Sequence, residues 1–451
     1  PSMSITTDVT KNLGPDYFSS DEITDEVIDQ LKRLPDGFTD RLAADVPSGD
    51  YVPGGETRTL TSFKDLSGPY HALGPAELQY AINGQQGTAC FAALNSLKAG
   101  AVAYINIPAS TIETKPVLVI NAVSADGGVG SDIEEGKGVA SHPRCLVNAG
   151  DGASLPVVQA FVDLDEPNSE NCVPRFVNSC TQVYIGAGTN VTHSYLEETG
   201  GIATGGVETV ARDMKDGAEL PSVIEKRRKE IKNTHFETIE VHVTGEDGRY
   251  EGTAIAIGGN GRCRLSISAS LLGPNSHGAI NGFSLAGGTQ RADFRTFIHH
   301  VGEGTTSAQA QKNMIGGRST VSFRGRIRVE QNAQQTDSTQ LTRNILLSDK
   351  SKVWVIPSLE IIADNVMCTH GATISDLSDE ELYYLRTRGI SKGAARNLLM
   401  YAFVEEVTRE VDGAMQGEKM SQNSLKNRVI RRLQNLVPRG DRAFKGEYQS
   451  V

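Results

Sequence analysis

The spacing of apolar residues changes twice along the chain, and each change marks a different kind of structure. Before residue 110 the spacing is helical wherever it is regular. Behind Ser20-Asp21-Glu22, apolar side chains stand at 23, 27, 28, 31 and 34, and Pro35-Asp36-Gly37 stops the run. Ala76 to Ala81 and Ala89 to Leu97 read as two more short helices, the second ended by Gly100. From about 101 the runs shorten and alternate, as strands do: Val102 to Ile107, Pro116 to Asn121, Val157 to Val162 and Gln182 to Ile185. They resume at Thr238 to Val243, Thr253 to Ile257, Arg262 to Ser268, Ala279 to Leu285 and Phe294 to Val301. Thr320 to Val329, Leu341 to Leu347 and Val353 to Ile362 complete the series. Glycine-rich corners such as Gly258-Gly-Asn-Gly261, Gly287-Gly288 and Gly316-Gly317 separate them.

No helix long enough for a βαβ crossover stands between these strands, so an antiparallel sandwich and a β-solenoid both fit. Two features favour the solenoid. Small or polar residues (Ser266, Ser268, Ser270, Asn281, Ser284) sit inside otherwise apolar runs, as stacked rungs allow. The runs also continue across 318–365 without two-residue Asn-Gly hairpins, each corner having a different length. Residues 206–233 interrupt the pattern with a stretch rich in both charge signs, expected to be a solvated helix outside the core.

At Ser378 the period becomes 3.6. Ser378-Asp-Glu-Glu381 has the form of a capping box, and its helix ends at Gly389. Ser391 opens a second helix with apolar or small residues at 395, 398, 399, 402, 403, 407 and 411. From 419 onward Lys and Arg interleave with Leu425, Val429, Ile430, Leu433 and Leu436, as in a basic amphipathic helix. The expected organisation is mainly β with helical ends: a helical or irregular region over 1–110, a β-helix core over 111–372, and a helical C-terminal domain over 373–451.

Composition narrows the function. The 451 residues suggest about three units at roughly 150 residues each, and 38% hydrophobic with 22% charged residues is a globular balance. The net charge of −11 argues against sequence-independent nucleic-acid binding, which needs many cations against phosphate. No apolar run approaches the ~18 residues of a membrane helix. Six cysteines, at 90, 145, 172, 180, 263 and 368, show neither structural-zinc spacing nor a disulfide framework, so a reducing compartment fits. The start, Pro-Ser-Met-Ser-Ile, has no secretory signal segment, and a trimmed form is expected.

Candidate chemistry is sparse. No Gly-x-x-x-x-Gly-Lys-Ser/Thr cradle is present, so ATP chemistry would have to come from a partner. Val183-Tyr-Ile-Gly186-Ala-Gly188 opens like a dinucleotide fingerprint but lacks the third glycine and the following helix. Asp163 and Asp165 share a face of an extended segment, and paired carboxylates are what a glycosidase needs. One Trp and 6% aromatics make a thin sugar groove, however, and turn acids are the better reading. His299 and His300 alternate faces and do not share a metal. Cys368-Thr369-His370 is more informative, because thiolate and imidazole at i and i+2 share a face and suit iron, copper or zinc. Two ligands do not complete a site, and a buried cysteine beside a hydrogen-bonded histidine is the plain alternative.

The same region carries a family resemblance. Gln331-Asn-Ala-Gln-Gln-Thr336, Gln340-Leu-Thr-Arg-Asn-Ile-Leu-Leu-Ser348, Pro357 through Cys368-Thr-His370-Gly-Ala-Thr373 and Glu381 through Gly389-Ile390 resemble the SufB/SufD family of the SUF iron–sulfur cluster assembly machinery, in its SufD form. The likeness is dense over about 290–410 and faint over the first 230 residues. It implies a right-handed parallel β-helix between helical ends and a non-catalytic scaffold. That scaffold would pair with a SufB-like subunit through the β-helix and dock a SufC-like ATPase on its C-terminal helices. It further implies that His370, with Cys368 as a less certain neighbour, lies at the SufB interface as a ligand for incoming iron or a nascent cluster, with no stably bound cofactor. Tyr384, Leu385, Arg388, Gly389 and Ile390 would face the ATPase. A homodimer is expected when SufB is absent. The 206–233 stretch and the acidic N-terminal region suggest a plastid version working in the stroma, with a bacterial cytoplasm as the alternative location. The competing class is a β-helix polysaccharide lyase or hydrolase.

Overall fold

The computed structural model describes residues 3–5, 56–60, 91, 92, 95, 102–114, 116–123, 139–163, 175–197, 233–257 and 261–414. Strands come first: β1 (Met3–Ile5), β2 (Glu56–Leu60), β3 (Val102–Ile107), β4 (Val117–Val123), β5 (Val139–Ser141), β6 (Arg144–Ala149), β7 (Ser154–Asp163), β8 (Arg175–Ile185) and β9 (Asn190–Glu197). After β10 (Asn233–Val243) follow β11 (Arg249–Ala256), β12 (Gly261–Leu271), β13 (His277–Ala286), β14 (Arg291–His300) and β15 (Thr306–Ile315). The series closes with β16 (Thr320–Val329), β17 (Asp337–Leu346), β18 (Lys352–Ile361) and β19 (Met367–Ser375), then helices α1 (Asp379–Thr387) and α2 (Lys392–Ala414).

From β9 onward, consecutive strands go to alternate sheets. One sheet runs β1-β4-β7-β9-β11-β13-β15-β17-β19, the other β18-β16-β14-β12-β10-β8-β6-β3-β2, with β5 beside β8. Each strand therefore pairs with the equivalent strand of the turn before it, and one turn takes 29 residues from Ser284 to Asn313 and 31 from Gln309 to Gln340. Among the described residues every strand pairing is parallel except that of β2 with β3. Two parallel sheets wound in this way are consistent with a β-helix and set aside the antiparallel sandwich. Glycine serves the corners: Gly304 and Gly317 have φ of +69° and +65°, a backbone region costly for other residues.

The inward faces of the two sheets make one elongated core, with Val147, Ile185, Val243, Leu271, Phe294, Ile298, Phe323 and Ile327 among its members. A second apolar cluster lies on the outer face of the nine-stranded sheet. There Leu196, Ile255, Phe283, Met314 and Ile345 meet Leu382 of α1 and Ala395, Met400 and Val404 of α2. The two helices are thus fixed against the side of the sheet stack. Ser378 Oγ accepts the N–H of Glu381 at 3.3 Å, and Ser391 Oγ accepts that of Ala394 at 3.3 Å, so both hydroxyls cap as the spacing predicts. Gly389, at φ +83°, ends α1 with its N–H on the Arg386 carbonyl.

The strands that periodicity picks out are present, and β3 and β16 match their predicted ends. Others were not visible as apolar runs: β6, β9 and above all β15, whose sequence Thr-Ser-Ala-Gln-Ala-Gln-Lys-Asn-Met-Ile is mostly polar. In β15 the inward side chains Ser307, Gln309, Gln311 and Asn313 are buried, so the alternation exists in geometry but not in hydropathy. The predicted helices over 23–34 and 76–81, the 206–232 part of the charged stretch and the basic segment from 419 lie outside the described residues. Phe91, Ala92 and Asn95 are helical within the predicted 89–97.

Candidate functional site

Both sheets finish at the same end, on β18 and β19, whose outer edges have no strand beside them among the described residues. An unpaired edge offers a row of backbone donors and acceptors to another chain. Exposed apolar side chains gather around it: Trp354 is 61% exposed and Met367 67%, with Ile356, Ile361, Ile362 and Ile374 nearby in sequence on the same two strands and the loop between them. Apolar side chains left in water at a sheet edge are a mark of an interaction surface.

Cys368 and His370 both lie on β19, the edge strand. In register, Cys368 pairs with Ser338 and His370 with Gln340, and Ser338 and Gln340 are buried on the inward face of β17. The two candidate ligands therefore share that face at the mouth of the stack, as i, i+2 spacing requires. Cys368 is partly buried against the interior core, and His370 is exposed. Burial, and then the nearby Asp337 carboxylate, push the Cys368 thiol above its ordinary pKa, so it is protonated near neutrality until a metal or base takes the proton. Among the described residues no three His, Cys, Asp or Glu side chains converge as a metal site. Thiol and imidazole thus form a partial donor set on an open edge, which further ligands from outside this group would have to complete.

Beneath His370 the interior is polar. Gln340 Nε2 donates to Gln309 Oε1 at 2.5 Å, and Gln309 Nε2 donates to Thr296 Oγ1 across the lumen. A parallel column runs from Ser284 Oγ to Asn313 Oδ1, from Asn313 Nδ2 to Asn344 Oδ1 and from Asn344 Nδ2 to the Thr373 carbonyl, at 2.7, 2.7 and 2.8 Å. On β16, Gly325 faces this polar interior, and a Cβ there would strike the Gln340 amide. No apolar pattern announces these residues. Their only sequence signal is the recurrence of Ser, Gln, Gln/Thr and Asn at every second position of β15 and β17.

The residues expected to face an ATPase divide in two. Tyr384 and Arg388 are exposed and joined, with the guanidinium 5.2 Å from the ring centroid and donating to the phenol oxygen at 3.3 Å. Leu385 and Ile390 instead pack, partly buried, against the outer apolar cluster, and Gly389 supplies the turn between the helices.

Other reactive groups are internal. His299 bonds Glu330 at 2.9 Å while His300 bonds Thr305 and Ser307, so the adjacent pair does point to different partners. Deeper in, Glu237 accepts from Thr181 at 2.9 Å, and Tyr195 meets His235 at 2.6 Å. Burial pushes the Glu237 carboxyl up to about 8 despite the hydrogen bond from Thr181, so it is largely neutral at pH 7. Burial likewise raises the thiols of Cys145, Cys180 and Cys263, the Cys180 value to about 12. Thiols held protonated are poor nucleophiles and poor ligands. The side chains of Asp163 and Asp165 lie outside the described ones. No helix among the described residues is long and apolar enough to cross a membrane.

A family described as "SUF system FeS cluster assembly, SufBD core domain" matches residues 132–403. The chain is 26% identical over 352 residues to the iron–sulfur cluster assembly protein SufD of Escherichia coli, covering 78% of this chain and 70% of that one. It is 26% identical over 400 residues to protein ABCI7, chloroplastic, of Arabidopsis thaliana, covering 86% of this chain and 73% of that one. Over a shorter stretch of 141 residues it is 30% identical to the iron–sulfur cluster assembly protein SufB of Bacillus subtilis, 31% of this chain and 30% of the relative.

Proposed function

The chain belongs to the SufBD family of the SUF iron–sulfur cluster assembly system, and from that premise we propose that it serves there as a non-catalytic scaffold subunit. In this reading the β18/β19 end docks onto a SufB-like subunit, adding strands edge to edge, and a SufC-like ATPase binds near the exposed Tyr384–Arg388 pair of α1. ATP-driven closure of two such ATPases would strain the paired β-helices and open the ligand site between them. The observation that carries the proposal is the coincidence at one unpaired, apolar edge of the partial donor set Cys368 and His370. A lone thiol and imidazole are insufficient for iron, and an edge built to meet another chain is where the missing ligands would arrive. Iron or a nascent cluster is then cargo that passes through, with His370 supplying an imidazole nitrogen as ligand.

Right-handed coiling, in keeping with the strong bias of parallel crossovers, belongs to the same reading, as does the division into N-terminal region, β-helix and C-terminal helices. So does a homodimer through the same edge when SufB is absent. Similarity to a chloroplastic protein supports the plastid stroma as the working location; similarity to a bacterial one keeps the cytoplasm as the alternative.

The test is co-purification of the chain with SufB and SufC of the same organism, wild type beside His370→Ala, followed by anaerobic iron and sulfide analysis. The expected result is a complex with either form and cluster formation lost with the variant. Absence of a complex would remove the partner assignment, and normal clusters on His370→Ala would remove the ligand role.

A further inference from the structure

We propose that Gln340 is a positioning residue for His370: its side-chain carbonyl accepts an imidazole N–H and so decides which ring nitrogen is left to face the open edge. The inference rests on the reading of His370 as a ligand and adds the residue that would hold it.

The hydrogen bonds of the interior column have a direction. Gln309 gives its amide N–H to Thr296, and Gln340 gives its amide N–H to the Gln309 carbonyl. Gln309 thus hands its proton across the lumen, while Gln340 hands its own one full turn back and keeps its carbonyl out of that bond. The Gln309 carbonyl is met by Gln340. For Gln340 it meets nothing among the described residues: Oε1 is buried without a hydrogen-bond partner, on a side chain only 1% exposed. Buried acceptors are satisfied in nearly all folded proteins, so a vacant one asks for a donor.

The residue in register on the next and last strand is His370, one strand spacing of about 4.8 Å away. A neutral imidazole has one N–H to give and one lone pair to keep. Donating to Gln340 fixes the tautomer and restricts the ring, and the other nitrogen stays free to bind a metal cargo. Ligating histidines generally depend on such an outer hydrogen bond, which orients the ring and raises its basicity. Gly325 keeps the space the Gln340 amide occupies, since a Cβ there would collide with Nε2. The bond is not formed in this structure, where His370 is exposed; the column offers the acceptor toward which the ring would turn.

Nitrogen-15 NMR of the metal-free full-length chain, labelled at histidine and assigned by the signal missing in His370→Gln, reads the tautomer directly. Wild type should show His370 in one fixed tautomer. Gln340→Leu should release it to a rapid average, whereas Gln340→Glu, which retains a carbonyl acceptor, should restore it. Ser284→Ala is the packing control: it breaks the parallel Ser284–Asn313 column, leaves the Gln309–Gln340 bond in place and should leave the His370 signal unchanged. In the assembled complex Gln340→Leu should lower iron affinity by about 10-fold or more. A wild-type His370 that already averages its tautomers, or a Gln340→Leu signal identical to wild type, overturns the proposal. Its failure is distinct from failure of the ligand reading. If His370→Ala builds clusters normally while Gln340→Leu still frees the tautomer, the ligand role is lost and the positioning bond stands. If His370→Ala abolishes clusters while Gln340→Leu changes nothing, the positioning bond is lost and the ligand role stands.

Discussion

The last turns of the stack have two inward faces that solve the same packing problem with opposite chemistry. On the ten-stranded sheet, β16 points Val321, Phe323, Ile327 and Val329 inward, all fully buried. On the nine-stranded sheet, β15 and β17 point Ser307, Gln309, Gln311, Asn313, Ser338, Gln340, Thr342 and Asn344 into the same interior, equally buried. The first face is held by removal of hydrocarbon from water, which is non-directional and tolerant of small shifts. The second has hydrogen bonds that link matched positions of successive turns, which adds little net energy per bond but penalises any loss of register. The polar face is also the one that ends beneath Cys368 and His370. A scaffold that must present a ligand at a fixed height on an open edge gains from a column that cannot slide, and hydrocarbon packing would not supply that.

The comparison is broken most severely from the apolar side. Phe323→Ala removes a fully buried ring from the ten-stranded face and should cost about 4 kcal/mol in denaturant unfolding, by lost transfer energy plus the cavity left behind. A loss below about 1 kcal/mol would mean that the face closes around the gap.

A smaller but sharper break comes from the polar side. Asn313→Ala strands Ser284, Gln311 and Asn344 together, each bonded to it at 2.7 or 2.8 Å. It should cost about 3 kcal/mol, since orphaned buried groups carry roughly 1–3 kcal/mol each and partly re-pair. Hydrogen exchange should also rise at β17 and β19 more than at β16. Equal exchange on the two sheets would show that the column does not hold register.

The smallest effect concerns a buried carboxyl of the ten-stranded sheet, Glu237. Its folded pKa of about 8 lies above that of an unfolded glutamate near 4.5. The folded state therefore binds more protons between those values, and stability falls as pH rises through them, by about 1.4 kcal/mol per unit. From pH 6.5 to 8 the wild type should lose about 2 kcal/mol that Glu237→Gln keeps. On the acid side the sign reverses. Burial lowers His193 to about 4, and His235 and His300 to about 3, so these rings stay neutral in the fold and stability drops as pH falls below about 6.5. Unfolding free energies at pH 5, 6.5 and 8 check both slopes, and a wild type most stable at pH 8 would refute the Glu237 assignment.

How much of this was legible in the sequence differs by face. Thr320–Val329 alternates hydrocarbon with Ser, Arg and Gly, and its strand could be read to the residue. Thr306–Ile315 has the same geometry and could not be read, because an inward glutamine looks like an outward one until its partner a turn away is known. The capping serines of α1 and α2 were legible because a cap is local, made within three residues. Leu385 and Ile390 show the converse. Their type and position suited an exposed docking surface, and only packing against the outer sheet face shows them partly covered.

By itself the sequence determined the β-rich middle, the helical hairpin and the Cys-x-His pair on one face of an extended segment, because all three depend on residues close together in the chain. Tertiary structure alone decided which strand pairs with which and in what register, that β18 and β19 end both sheets together, and that the vacant Gln340 carbonyl lies in register with His370. Those facts join residues a whole turn apart. Pairing at that distance is set by the combined burial and hydrogen bonding of every turn beneath it, which no local pattern encodes.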